Sequence, residues 1–143
     1  MIIKYLKTAL LVSSVALFTA CGGGGSSDST TPPIDYSGDY HMIATSTTEN
    51  DNSGNPCLGA EGKINVTNSI VTGTVTTGYG DTLAVNGEVT SSGQISGSMT
   101  VGDVTAASYE GQMEFSSGTG TWNDISGCSG TWVAAKVVET KVL

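Results

Sequence analysis

Residues 82–101 read TLAVNGEVTSSGQISGSMTV, and the alternation within them decides the fold. Leu83, Val85, Gly87 and Val89 fall at every second position, opposed by Ala84, Asn86 and Glu88. After Ser91-Ser92-Gly93 the period resumes, with Ile95, Gly97, Met99 and Val101 opposed by Ser96, Ser98 and Thr100. Successive side chains of a β-strand point to opposite faces, so the stretch predicts two strands with one dry and one wet face. A connection this short makes them antiparallel neighbours.

The same unit, a glycine, one variable residue and a large apolar residue, recurs along the chain in both directions. It appears as Gly38-Asp-Tyr40, Gly62-Lys-Ile64, Gly73-Thr-Val75, Gly87-Glu-Val89, Gly97-Ser-Met99, Gly111-Gln-Met113, Gly120-Thr-Trp122 and Gly130-Thr-Trp132. Positions i and i+2 share a face, so each unit sets a glycine beside a bulky side chain and leaves room for a residue of the next strand. Tyr109, Gly111, Met113 and Phe115 continue the dry face, while Ser108, Glu110, Gln112 and Glu114 continue the wet one. Turn signals separate the units: Thr67-Asn68-Ser69, Gly78-Tyr79-Gly80-Asp81, Gly102-Asp103, Ser116-Ser117-Gly118 and Asp124 to Gly127. The prediction is an all-β domain over residues 36–138, an eight-stranded antiparallel up-and-down meander that closes into a small barrel, with an open β-sandwich as the alternative. Residues 139–143 are left as a C-terminal tail. In strand count and glycine pattern the domain resembles the small up-and-down barrels of the calycin and avidin-like type. That resemblance implies topology alone, since no binding motif of either group is present.

Ahead of the domain, Met1 to Lys7 carries two lysines and no acid, Thr8 to Phe18 is an apolar run, and Thr19-Ala20 sets small residues before Cys21. These are the three parts of an export signal, and the apolar run is shorter than the roughly 20 residues a membrane-spanning helix needs. Phe18-Thr19-Ala20-Cys21 resembles the lipobox of bacterial lipoproteins, departing from it at Phe18, where leucine is usual, and at Thr19, where alanine or serine is commoner. The resemblance implies cleavage after residue 20 and lipidation of Cys21, with the acyl chains holding the protein to a membrane. Gly22, in place of an acidic residue, is compatible in that family with transfer to the outer membrane. Residues 21–35 then read as a tether, because Gly22 to Pro33, GGGGSSDSTTPP, offers nothing large and apolar to bury. Four glycines with no preceding strand and no following lysine do not make a phosphate-binding loop.

Lipidation of Cys21 leaves Cys57 and Cys128, an even pair in a chain bound for an oxidising compartment, and a disulfide is the natural reading. In a closed meander the end of strand one lies beside the start of strand eight, which brings the two cysteines together. Two reactive thiols or a metal site are the competing readings, although neither cysteine has a CxxC spacing and His41 is the sole histidine.

With Lys4 and Lys7 in the signal, Lys63, Lys136 and Lys141 face 13 Asp and Glu, a formal charge of three minus thirteen, −10, and there is no arginine. Phosphate backbones are bound through Lys and Arg, so nucleic acid is excluded as a partner. The acidity suits a soluble exposed domain.

Three sets of residues are weighed for chemistry. His41, near Asp39, is the one side chain that could serve a hydrolytic triad as base, but the alternation turns it outward, opposite to Tyr40, Met42 and Ala44. Glu49 to Asn55 concentrates oxygen ligands, yet taking Asp51, Ser53 and Asn55 as the first calcium ligands puts Pro56 where glycine is needed and Gly62 where a glutamate belongs. Tyr109, Met113, Trp122 and Trp132, with Met99 and Phe115, are either core or the lining of an apolar cavity, since an eight-stranded barrel is filled by side chains or holds one small ligand. No residue set points to catalysis, a metal or a cofactor. On the outside, pairing of the first and last strands would join His41, Ile43, Val133, Ala135 and Val137 into the only sizeable apolar strip, a candidate contact face. The expectation is therefore a non-catalytic, lipid-anchored envelope module that meets an unknown envelope or surface protein or a glycan. The alternative is a carrier or sensor of a small hydrophobic molecule held between Trp122 and Trp132.

Overall fold

The computed structural model describes residues 31–141. The expected signal peptide, the lipidation site Cys21 and the tether as far as Thr30 lie outside the described residues, as do Val142 and Leu143. Eight strands follow one another: β1 (Gly38–Ser46), β2 (Ala60–Thr67), β3 (Ile70–Thr77), β4 (Thr82–Val89), β5 (Gln94–Val101), β6 (Val104–Met113), β7 (Ser117–Asp124) and β8 (Ser129–Lys136). Each pairs antiparallel with the next, and β8 pairs back onto β1, with Tyr40 opposite Lys136 and Ser46 opposite Gly130. The sheet is a closed barrel, which leaves no edge strand unpaired and rules out the sandwich.

The alternation read from the sequence sets which side is dry. In β8, Gly130, Trp132 and Ala134 are buried while Thr131, Val133 and Ala135 are exposed, and β1 and β4 repeat the scheme. Among the described residues every buried hydrophobic side chain lies between Tyr36 and Ala134, and no polar or charged one is buried. The barrel thus carries its own core and closes on itself, the condition for folding as a unit. Its wet face, bearing Thr, Ser, Asn and Glu, points outward, the reverse of the alternation in a membrane-spanning barrel.

A meander places odd and even connections at opposite ends. Residues 47–59, 78–81, 102–103 and 125–128 join strands at one end, hereafter the open end. Residues 68–69, 90–93 and 114–116 turn at the other, the closed end, where the chain also enters at Tyr36 and leaves after Lys136. Toward the closed end the interior is full. Trp132 donates its indole N–H to the Glu110 carbonyl (3.1 Å) and meets Tyr109 edge to face, ring centroids 6.2 Å apart. Gly111 and Gly120, paired across β6 and β7, make that fit possible. A Cβ on Gly120 would sit 2.6 Å from the Trp132 indole nitrogen and 2.7 Å from the Gly111 Cα. The Tyr109 hydroxyl likewise occupies the space over Gly87 and Gly97. The glycines beside bulky residues therefore admit aromatic rings rather than leave a void. Tyr36 caps this end, its carbonyl accepting from the Tyr40 hydroxyl at 2.7 Å.

Three details differ from the expectation. Val101, expected on the dry face with Ile95 and Met99, is 50 % exposed, because it is the last residue of β5 and stands at the rim of the barrel. Phe115, expected on the inward face with Met113, is 69 % exposed, because β6 ends at Met113 and the chain turns over residues 114–116, closed by the Glu114 N–H to the Ser117 carbonyl. There it shares the Lys136 ammonium with Tyr40, at 5.4 and 5.7 Å from the two rings. Ser117 and Gly118, expected in the turn, open β7 instead; Gly118 is buried opposite Met113 and Ala134, where a side chain would strike the Met113 sulfur and the Trp132 ring. Cys57 and Cys128 are bonded, with Cα atoms 5.6 Å apart, and tie the 47–59 connection to the strand it was expected to meet.

Candidate functional site

At the open end several inward positions are small. Where the other end has Tyr40, Ile64 and Met113, the strand termini here present Ala44, Ala60 and Ala107, so the interior is not filled. A pocket of about 310 Å³ results, at the lower bound of the volumes that bind small molecules. Ala44, Leu83, Met99, Ala107 and Trp122 form its base and walls, and Leu58, Tyr79, Val101 and Ile125 its rim. A bulge enlarges it: β5 and β6 pair Met99 with Ala107 and then Thr100 with Thr105, so Ala106 has no partner in β5 and both alanines line the pocket. The indole N–H of Trp122 donates to the Thr45 carbonyl (3.3 Å), which turns the polar edge of the ring to the strand and leaves its apolar surface to the pocket.

The rim is held in place by its own loops. The disulfide pins residue 57, the Asn52 N–H donates to the Ser126 carbonyl (2.9 Å), and the Tyr79 hydroxyl donates to the Pro56 carbonyl. Asp124 accepts from the Ser126 and Cys128 N–H groups, both at 2.9 Å, and from the Ser126 hydroxyl at 2.7 Å. Asp51 accepts from the N–H groups of Ser53 and Asn55 at 2.8 Å. Bonds from Asn55, its side-chain amide first, hold the Asp51 carboxyl below the usual carboxylate range. A rim ordered in advance lowers the entropy lost when a ligand is taken up.

Of the residues singled out as core or cavity lining, Trp122 and Met99 line the pocket. Tyr109, Met113 and Trp132 belong to the packed half, so the space expected between Trp122 and Trp132 is core, and the pocket lies instead against Trp122, Leu83, Met99 and Ala107. Burial pushes the Tyr109 phenol up to about 12. On the exterior, His41 faces Ala135 and Ile43 faces Val133 across the β1–β8 seam, while the Val137 N–H donates to the Asp39 carbonyl. The five strip residues do adjoin, all exposed, with Ile43, Val133 and Val137 between 42 % and 50 %. The strip was expected to be the only sizeable exposed apolar group, and it is not, because Leu58, Tyr79, Val101 and Ile125 gather at the mouth. The Asp39 carboxylate accepts from the Asn65 side chain (2.8 Å). The oxygen-rich loop uses Asp51 for its own turn, and among the described residues no three His, Cys, Asp or Glu side chains are grouped to hold a metal.

The mouth had a signal in the sequence. Leu58, Tyr79 and Ile125 are large apolar residues in turns, and each sits in an odd-numbered connection, which a meander brings to one end. Alanines at the strand termini on that same end mark the unfilled interior. Neither the family models nor the curated proteins with which the chain was compared match it.

Proposed function

We propose that the protein is a non-catalytic binding module of the bacterial envelope, anchored by acyl chains on Cys21, whose barrel takes a small apolar ligand into its open end. The observation that carries the reading is the apolar pocket of about 310 Å³ with Trp122 in its wall, built on a rim that is already ordered. The lipobox-like Phe18-Thr19-Ala20-Cys21 supports the anchor, and incorporation of labelled palmitate that is lost in Cys21→Ser tests it. The chain enters the barrel beside Tyr36 at the closed end, the end opposite the mouth.

The polypeptide from Gly22 to Leu143, secreted without acyl chains, is titrated with two neutral probes, 1-decanol and N-phenyl-1-naphthylamine. Saturable binding with a change in tryptophan emission is expected, and Trp122→Phe removes most of that change because Trp132 lies in the packed half. Ala107→Leu fills the pocket and abolishes binding. Undiminished binding to Ala107→Leu, or no binding of either probe to the parent chain, overturns the reading.

A further inference from the structure

The two ends of the barrel differ in charge as well as in packing. The four connections at the open end carry Glu49, Asp51, Asp81, Asp103 and Asp124 at or beside them, and no lysine, arginine or histidine. The described lysines are elsewhere: Lys63 is exposed on β2, Lys136 lies over Tyr40 and Phe115 at the closed end, and Lys141 follows it in the tail. Three of the carboxylates, Asp51, Asp81 and Asp124, line the pocket itself. They ring the mouth rather than converge, so they set up a field of one sign instead of a coordination site. A low-dielectric pocket ringed by one sign of charge focuses that field along its axis. With the carboxylates stand two aromatic rings, Tyr79 on the rim and Trp122 in the wall, and the faces of such rings attract a cation.

Resting on the pocket reading above, we infer that the ligand is a cationic amphiphile: an apolar body in the barrel and one protonated amine or quaternary ammonium among the carboxylates at the mouth. The volume of about 310 Å³ accommodates about ten water-sized groups, the size of a ten-carbon chain. An anionic amphiphile of that length would bring its carboxylate into the same ring of aspartates without a cation to meet it. The fatty-acid class is thereby disfavoured and the long-chain amine class favoured.

Three probes of equal chain length, decyltrimethylammonium, 1-decanol and decanoate, are titrated into the Gly22–Leu143 chain below their micelle concentrations. Decyltrimethylammonium is expected to bind at least tenfold more tightly than decanoate, and the gap should narrow in 0.5 M salt, where the screening length falls to about 4 Å. Asp81→Asn with Asp103→Asn should weaken decyltrimethylammonium about threefold to tenfold and leave 1-decanol unchanged. Glu88→Gln with Glu110→Gln removes the same number of charges from the barrel wall and should leave the preference intact. Equal losses in the two double variants would assign the preference to net charge and overturn the inference. Decanoate binding as well as or better than decyltrimethylammonium overturns it too, while the pocket reading stands. Binding of none of the three overturns both.

Discussion

Both ends of the barrel are built by the same eight strands with the same inward and outward alternation, yet one is packed with aromatic rings and the other opens into an apolar pocket. The closed end fills its interior with Trp132, Tyr40, Tyr109 and Met113 and pares the neighbouring strands to glycine so that the rings fit. The open end has alanine at Ala44, Ala60 and Ala107, and its larger inward residues, Leu83, Met99 and Trp122, leave a pocket above them. Alternation decides which side of a strand is dry, and side-chain volume decides whether the dry side becomes core or cavity. The two ends therefore differ in kind, with the aromatic core below and the pocket above.

The largest expected effect separates the two tryptophans. Trp132 is fully enclosed over Gly111, Gly118 and Gly120, which cannot move in to replace it. Trp132→Ala should cost about 3–5 kcal/mol, and Trp122→Ala, with one side of the ring already on the pocket, about 2 kcal/mol. Urea unfolding followed by far-UV circular dichroism measures both. Should Trp132→Ala fail to fold, Trp132→Phe against Trp122→Phe gives the same comparison on a smaller scale. Equal costs would mean that the open end collapses around its own tryptophan in solution.

Reduction of Cys57–Cys128 comes next and removes a link made at the open end. Linking residues 71 apart in sequence constrains the unfolded chain by about 4.4 kcal/mol in the chain-entropy account, enough to lower Tm by about 10 °C or more. Hydrogen exchange should quicken at residues 47–59 and 125–128 before it does in the amides around Trp132. Uniform quickening over both ends would show that they are a single cooperative unit with no division between them.

Most of the fold was legible because it is a matter of period. The dyad in residues 82–101 and the repeated glycine units depend only on neighbours along the chain, and the strands follow them. Closure and the disulfide were legible too, since a meander of eight leaves its first and last strands to pair. The pocket was less so, because it depends on how inward volumes add up across the barrel at one height. Tyr109, Met113 and Trp132 look like Trp122 in sequence, all bulky and inward, and Tyr109 even stands opposite Trp122 in the β6–β7 register; what distinguishes them is where the rings reach, Tyr109 over Gly87 and Gly97 and Trp132 over Gly111, Gly118 and Gly120. Phe115 was misplaced for a local reason: alternation was carried two residues beyond the end of its strand.

Alkaline pH tests the packed end by itself. Tyr109 titrates at about 12 against an ordinary 10, through burial, and Tyr40 is raised as well, by burial first and then by Asp35 and Tyr36. A folded pKa above the unfolded one means that the native state holds the proton more tightly. The contribution is complete below pH 10 and is lost as the pH rises toward 12. Stability should therefore fall over that window, and Tyr109→Phe should shallow the fall. At neutral pH the same variant should cost about 1 kcal/mol, for the hydrogen bond from its hydroxyl to the Asn86 carbonyl. An unaltered alkaline slope in Tyr109→Phe would place the titration elsewhere.

The smallest expected effect compares a turn from each end. Both Asn68-Ser69 at the closed end and Gly102-Asp103 at the open end are two-residue hairpin connections, between Thr67 and Ile70 and between Val101 and Val104. At the open end the positive φ, 56°, falls on a glycine. At the closed end both residues have positive φ, 50° for Asn68 and 66° for Ser69, the type I′ conformation that suits the right-handed twist of the strands. Asparagine tolerates that region, whereas serine is strained there by its Cβ. Ser69→Gly relieves the strain and restores the Asn-Gly pair that the turn favours, at the cost of a more flexible unfolded chain. The balance should be a gain of about 0.5 kcal/mol, seen as a shift of the urea midpoint with an unchanged slope. Gly102→Ala, the converse change at the open end, should lose a similar amount. A loss in Ser69→Gly would mean that the Ser69 conformation differs in solution, and the closed end would then owe less of its rigidity to its turns than to Trp132 and Tyr40.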